Sequence, residues 1–201
     1  MNPSASAAPV RAHGCVTKPL RQLKLVFWGP GASGKTTLLR HLSTRLSPLV
    51  VSERIEISTS EDHTLLSDYL ALQLPLNTFV ILLHLVTTTG QRRLLVTREF
   101  AAAGADGVLF VADSRPSAIA DNRRSYEELR AYIGATGRLI PVVIMANKQD
   151  LPGSLSTEAV SRYLQPPPEH PVLGASALYG GGVQVVFQRL VQDVLAHHVA
   201  P

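Results

Sequence analysis

The residues best suited to chemistry sit in one run, Gly29-Pro30-Gly31-Ala32-Ser33-Gly34-Lys35-Thr36. It matches G-x-x-x-x-G-K-[ST] at every position, after an apolar stretch and before a helical pattern. Glycines let consecutive backbone amides turn inward, so the loop and the helix start present N–H groups to phosphate oxygens. Lys35 is expected to reach the β- and γ-phosphates and the Thr36 hydroxyl to bind magnesium. Gly29, Gly31, Ala32, Ser33, Gly34 and Thr37 complete the expected phosphate contacts.

A phosphate loop alone leaves kinases, ATPases and GTPases open. Asn147-Lys148-Gln149-Asp150 has the N-K-x-D form and follows an apolar strand pattern. A carboxylate only accepts hydrogen bonds, so Asp150 suits the adjacent ring N–H and exocyclic amine of guanine. Adenine lacks that pair of donors and would leave the carboxylate unsatisfied. Lys148 is expected along the base, and Asn147 as a tie to the phosphate loop. Ala175-Ser176-Ala177 follows the next strand pattern, where the backbone amides of Ser176 and Ala177 can meet the guanine oxygen. A P-loop kinase or ATPase is disfavoured by this segment.

Thr87-Thr88-Thr89-Gly90-Gln91 occupies the place of the usual D-x-x-G-Q. There the Gly90 amide can meet the γ-phosphate and Gln91 can orient the attacking water. Thr87 replaces the aspartate that normally supports magnesium.

Together, Leu25-Val26-Phe27-Trp28-Gly29-Pro30-Gly31-Ala32-Ser33-Gly34-Lys35-Thr36-Thr37, the T-x-x-G-Q segment and Phe110-Val111-Ala112-Asp113-Ser114 resemble the bacterial MglA family of polarity GTPases. The resemblance runs from about Lys24 to the C-terminus. Residues 147–152 and Glu127-Glu128-Leu129 are also similar to Arf proteins, which keep the aspartate. The resemblance implies a first switch with an arginine followed by a magnesium-binding threonine. Thr64 stands at the threonine position, with Thr59 as the alternative, and His63 at the arginine position. Asp68 matches an acidic position of the family, and a solvated or structural carboxylate is the simpler reading. The resemblance further implies a cell-polarity or motility switch that cycles between GTP and GDP with Mg2+ and partners a roadblock-fold, MglB-like activator dimer.

The elements that must position these residues follow from hydrophobic periodicity. Strands are expected at 23–28, 69–74, 78–86, 108–112, 139–145 and 172–173, the second and third forming a hairpin about Pro75-Leu76-Asn77. Helices are expected at 35–46, after Gln91, at 117–133, from a Ser156 cap to Leu164, and over a last segment facing inward through Val183, Val186, Phe187, Leu190, Val191, Val194 and Leu195. Gly180-Gly181-Gly182 reads as a flexible lead-in to that last helix. Alternating strands and helices predict an α/β fold, a Ras-like P-loop NTPase with a six-stranded, mostly parallel sheet covered on both faces. Residues 1–20 are expected as a disordered tail and 21–201 as one GTPase domain.

Composition agrees with a soluble globular protein, at 45% hydrophobic and 17% charged residues among 201. No apolar run approaches the roughly 20 residues of a membrane span. The net charge of +4 is scattered, without a basic block, so a solvated surface is preferred to a nucleic-acid patch. The single cysteine, Cys15, allows no internal disulfide and fits a reducing, cytoplasmic setting. Asn2 is not the glycine of a myristoylation pattern, and the last four residues are no prenylation box. The expectation is a monomeric GTPase with a low intrinsic rate. The alternative is a nucleotide-binding interaction module with little hydrolysis, suggested by Thr87 and His63.

Overall fold

The computed structural model of the protein describes residues 18–52, 68–88 and 95–199. The first-switch positions Thr59, His63 and Thr64 and the second-switch positions Gly90 and Gln91 lie outside these residues, as do Cys15 and nearly all of the predicted tail.

Six strands form one sheet in the order β2-β3-β1-β4-β5-β6. They are β1 (Leu20–Trp28), β2 (Tyr69–Pro75), β3 (Val80–Thr87), β4 (Gly107–Asp113), β5 (Val142–Asn147) and β6 (Val172–Gly174). Only β2 runs antiparallel, paired with β3 in the predicted hairpin; the other pairings are parallel. Among the described residues five α-helices cover the sheet: α1 (Lys35–Arg45), α2 (Leu95–Ala102), α3 (Ile119–Thr136), α4 (Thr157–Leu164) and α5 (Val183–Val199).

The central strands are apolar throughout because both of their faces are buried. Their side chains alternate between two cores. Leu25, Phe27, Leu109, Val111, Val143 and Met145 meet α1 and α5 through Leu38, Leu42, Val186 and Leu190. Val26, Trp28, Val108, Phe110, Ile144 and Ala146 meet α3 and α4 through Tyr126, Leu129 and Val160. The Trp28 indole N–H donates to the Ser125 carbonyl at 3.0 Å, which fixes α3 against β1.

Most predicted elements fall where periodicity puts them. Ser156 caps α4, its hydroxyl accepting from the Ala159 amide at 3.3 Å. β5 needs a correction at both ends. It starts at Val142 rather than 139, because α3 stops in a left-handed Gly137 (φ 63°) and Leu139 is 83% exposed. It also runs on to Asn147, which makes that residue the last of the strand. On α3, Asn122 and Ser125 are buried beside Tyr126 and Leu129, two polar positions that an apolar periodicity does not register.

Gly107 opens β4 under α5, where an added Cβ would lie 2.4 Å from a Val194 methyl. Leu25 at 3.1 Å and Leu190 at 3.2 Å crowd the same point, and all three are buried core residues. Gly107→Ala is expected to lower unfolding free energy by roughly 1–3 kcal/mol through overpacking. Denaturant unfolding checks this, and wild-type stability would show that α5 can shift away from the sheet.

Candidate nucleotide site

The carboxyl ends of β1, β3, β4, β5 and β6 lie along one edge of the sheet, where open α/β folds hold their ligands. β1 ends at Trp28, and the chain turns through loop 29–34 into α1. The turn uses backbone conformations that favour glycine, with Gly29 at φ 149° and Gly34 at φ 103°. A Cβ on Gly29 would lie 2.3 Å from the Val111 carbonyl oxygen. Gly34 is also the N-cap of α1 and gives no side-chain cap, so the first-turn amides are left to face the loop.

Lys35 is buried and its ammonium donates to the carbonyls of Gly29 at 2.9 Å and Pro30 at 2.7 Å. Burial lowers its pKa to about 7, helped by the charge of Arg98 and opposed by that of Asp68. Arg98 reaches this region from α2, where it is ion-paired with Glu128 of α3. An anion in the loop would therefore stabilise the charged form of Lys35. Gly31 and Ala32 are exposed on the loop, Thr36 and Thr37 are half-buried, and the Ser33 hydroxyl is buried with no partner among the described residues.

The N-K-x-D segment and this loop are bonded together. Asn147, 2% exposed, donates from its amide to the Ser33 carbonyl at 2.7 Å and accepts at its oxygen from the Ala177 amide at 2.8 Å. Lys148 donates to the Ala32 carbonyl at 2.7 Å. Ser176 is buried in a turn closed by its own hydroxyl, which accepts from the Tyr179 amide at 3.2 Å. Asp150 is exposed at the same edge. Thus Gly29 to Thr37, Asn147, Lys148, Asp150, Ser176 and Ala177 come together from three loops.

For Asp68 the structure leaves the structural half of the sequence reading and removes the solvated half. Asp68 is 1% exposed and accepts from the Thr36 hydroxyl at 2.7 Å. It faces Thr87, whose hydroxyl donates to the same carboxylate at 3.2 Å and accepts from the Asp68 amide at 2.8 Å. The signal lay in the hairpin. Tyr69 pairs with Val86, so one further step sets Asp68 against Thr87, and a carboxylate returns beside the position that lost one. Thr36 and Asp68 are hard oxygen donors, which fits Mg2+. Among the described residues no cluster of three or more His, Cys, Asp or Glu could hold a metal by itself.

Residues 24–196 match the Ras family. The chain belongs to it. Among curated relatives it is similar to the mutual gliding-motility protein MglA of Myxococcus xanthus, at 37% identity over 145 residues, 70% of this chain and 74% of the relative. It is also similar to ADP-ribosylation factor-like protein 6 of Caenorhabditis elegans, at 28% identity over 182 residues and 87% of each chain. A third relative, ADP-ribosylation factor-like protein 4D of Mus musculus, is 32% identical over 117 residues, 56% of this chain and 58% of that one. The protein is therefore a small GTPase of the P-loop fold, with MglA-like and more distant Arf-like features. Family members generally use Mg2+ with GTP or GDP. No described helix is long and apolar enough to cross a membrane.

In Asn147→Asp, a second acceptor would face the Ser33 carbonyl with no proton between them. The nucleotide-free protein is expected to lose about 1–3 kcal/mol in urea unfolding. Unchanged stability would mean that the loops do not depend on this amide.

Proposed function

We propose that the protein is a GTP/GDP switch that binds nucleotide through loop 29–37 and reads guanine through Asp150. The observation that carries this reading is Asn147, whose one side chain holds the phosphate-type loop, the N-K-x-D strand end and the Ser176-Ala177 turn together. Base and phosphates can then be bound by one rigid edge. Lys35 neutralises the β- and γ-phosphates, while the backbone amides of Gly34 to Thr37 receive their oxygens. The Ser176 and Ala177 amides already donate to the Gly181 carbonyl and to Asn147, each at 2.8 Å, so the guanine oxygen would need another donor of this turn, and Lys148 lies along the base.

Magnesium would be held by Thr36 and Thr64, with Asp68 in support through the Thr36 hydroxyl, and would supply charge neutralisation at the phosphates. Asp68 thus does the work of the aspartate that Thr87 replaces, which favours the switch reading over a passive binding module. Gln91 orients the attacking water and the Gly90 amide meets the γ-phosphate. His63 stands at the arginine position, and a mostly neutral imidazole cannot present the bidentate charge of a guanidinium. Intrinsic hydrolysis is therefore slow. The likeness to MglA supports a role in cell polarity or motility, with a roadblock-fold activator of the MglB type as partner.

Lys35→Ala is expected to remove most nucleotide affinity in a fluorescent-GDP titration; wild-type binding would sink the phosphate assignment. Asp150→Asn should move preference from GTP toward XTP, because an amide donates to the xanthine oxygen, and retained guanine selectivity would place base reading elsewhere. Asp68→Asn should weaken the magnesium dependence of GDP retention by roughly tenfold, the worth of one charge-assisted contact. A magnesium titration of GDP release checks it, and a wild-type curve would leave Asp68 a purely structural group. Single-turnover hydrolysis separates a slow switch from an inert module, and His63→Arg should raise the rate.

A further inference from the structure

Asp113, the last residue of β4, is buried at 2% exposure yet none of the roles above uses it. Its carboxylate Oδ2 accepts from the Lys148 ammonium at 2.8 Å. The same ammonium donates to the Ala32 carbonyl at 2.7 Å. Lys148 is thus pinned between the end of β4 and the phosphate-type loop, on a backbone held in the left-handed region at φ 70°.

The carboxylate is itself immobilised. Arg115 closes on its other side, with Nη2 at 2.6 Å from Oδ2 and both Nε and its backbone amide at 3.1 Å from Oδ1. Behind it, Asn122 clamps the Asp113 backbone, accepting from its amide at 3.0 Å and donating to its carbonyl at 2.7 Å. Burial alone would raise the Asp113 carboxyl; the hydrogen bonds from Arg115 and Lys148 outweigh it and hold the group below its ordinary range, charged.

We propose that Asp113 is a positioning residue for nucleotide retention, acting through Lys148 by fixing that side chain before the base arrives. The inference rests on the reading that Lys148 lies along guanine. A free lysine side chain samples many rotamers, and ordering it on binding costs entropy. A buried carboxylate that fixes its ammonium removes that cost from binding, so bound nucleotide leaves more slowly. A carboxylate suits the task because it supplies a countercharge to the half-buried Lys148 ammonium, and β4 is the strand beside Asn147 in register, Asp113 pairing with Asn147. The same clamp makes Asp113 replaceable in shape, since its backbone bonds to Asn122 do not involve the carboxylate.

A double-mutant cycle tests this with N-methylanthraniloyl-GDP release. Asp113→Asn is expected to speed release by about tenfold, the effect of losing one charge-assisted contact, and so is Lys148→Met. In the Lys148→Met background Asp113→Asn should add less than about twofold, because the partner it acts through is gone. Equal effects in both backgrounds, or wild-type release from either single variant, would overturn the proposal. Should Asp113→Asn fail to fold, Lys148→Met decides by itself, since unchanged release would leave Asp113 nothing to act through. Asp150→Asn measured in parallel separates the two readings. If it turns to XTP while the cycle is additive, only the role of Asp113 falls; if it keeps guanine, the base-reading assignment falls with it.

Discussion

A parallel sheet leaves a difficulty at its carboxyl edge, where each strand ends and its last peptide groups lose their ladder partners. In this protein a single buried amide answers for three loops. Asn147 offers a donor to the Ser33 carbonyl and an acceptor to the Ala177 amide, so the chain after β1, β5 and β6 cannot move independently. Gly34 is tied to the same arrangement, because the Asn147 nitrogen would lie 2.3 Å from a Cβ there. The glycine of the phosphate motif and the asparagine of the guanine motif are halves of one packing solution.

Charge is organised around that joint. Buried cations lie toward the phosphate side, with Lys35 against carbonyls and Arg98 paired to Glu128. Each buried carboxylate is committed to a defined partner, Asp68 to Thr36 and Thr87, Asp113 to Arg115 and Lys148. A buried charge is tolerated only when paired or hydrogen-bonded, and at Lys35 burial, with the charge of Arg98, lowers the pKa to about 7.

The Asp68–Thr87 pair puts a carboxylate beside the threonine of the changed motif. β2 and β3 are antiparallel neighbours, so the start of one strand faces the end of the other. Asp68, one residue before β2 and opposite Thr87 at the end of β3, reaches the Thr36 hydroxyl. The oxygen's position at the sheet edge is set by this pairing.

Read as sequence alone, the chain already determines its two nucleotide motifs, the order of strands and helices, the hairpin and the Ser156 cap. These depend on neighbours a few residues apart: glycine conformations, apolar periods and capping hydroxyls act locally and leave local marks. Asn147 as a tie to the phosphate loop was legible too, because its motif carries that role. The extent of β5 was not, since apolar Leu139 stays outside the sheet once Gly137 turns the chain. Nor were the burial of Asn122, the reach of Asp68 to Thr36 and the hold of Asp113 on Lys148. Those contacts join residues 9 to 35 positions apart, and only strand register and helix packing bring them within hydrogen-bond range. A polar side chain in sequence is silent about whether it will meet water or a partner; the fold decides that, because burial without a partner costs about 1–3 kcal/mol.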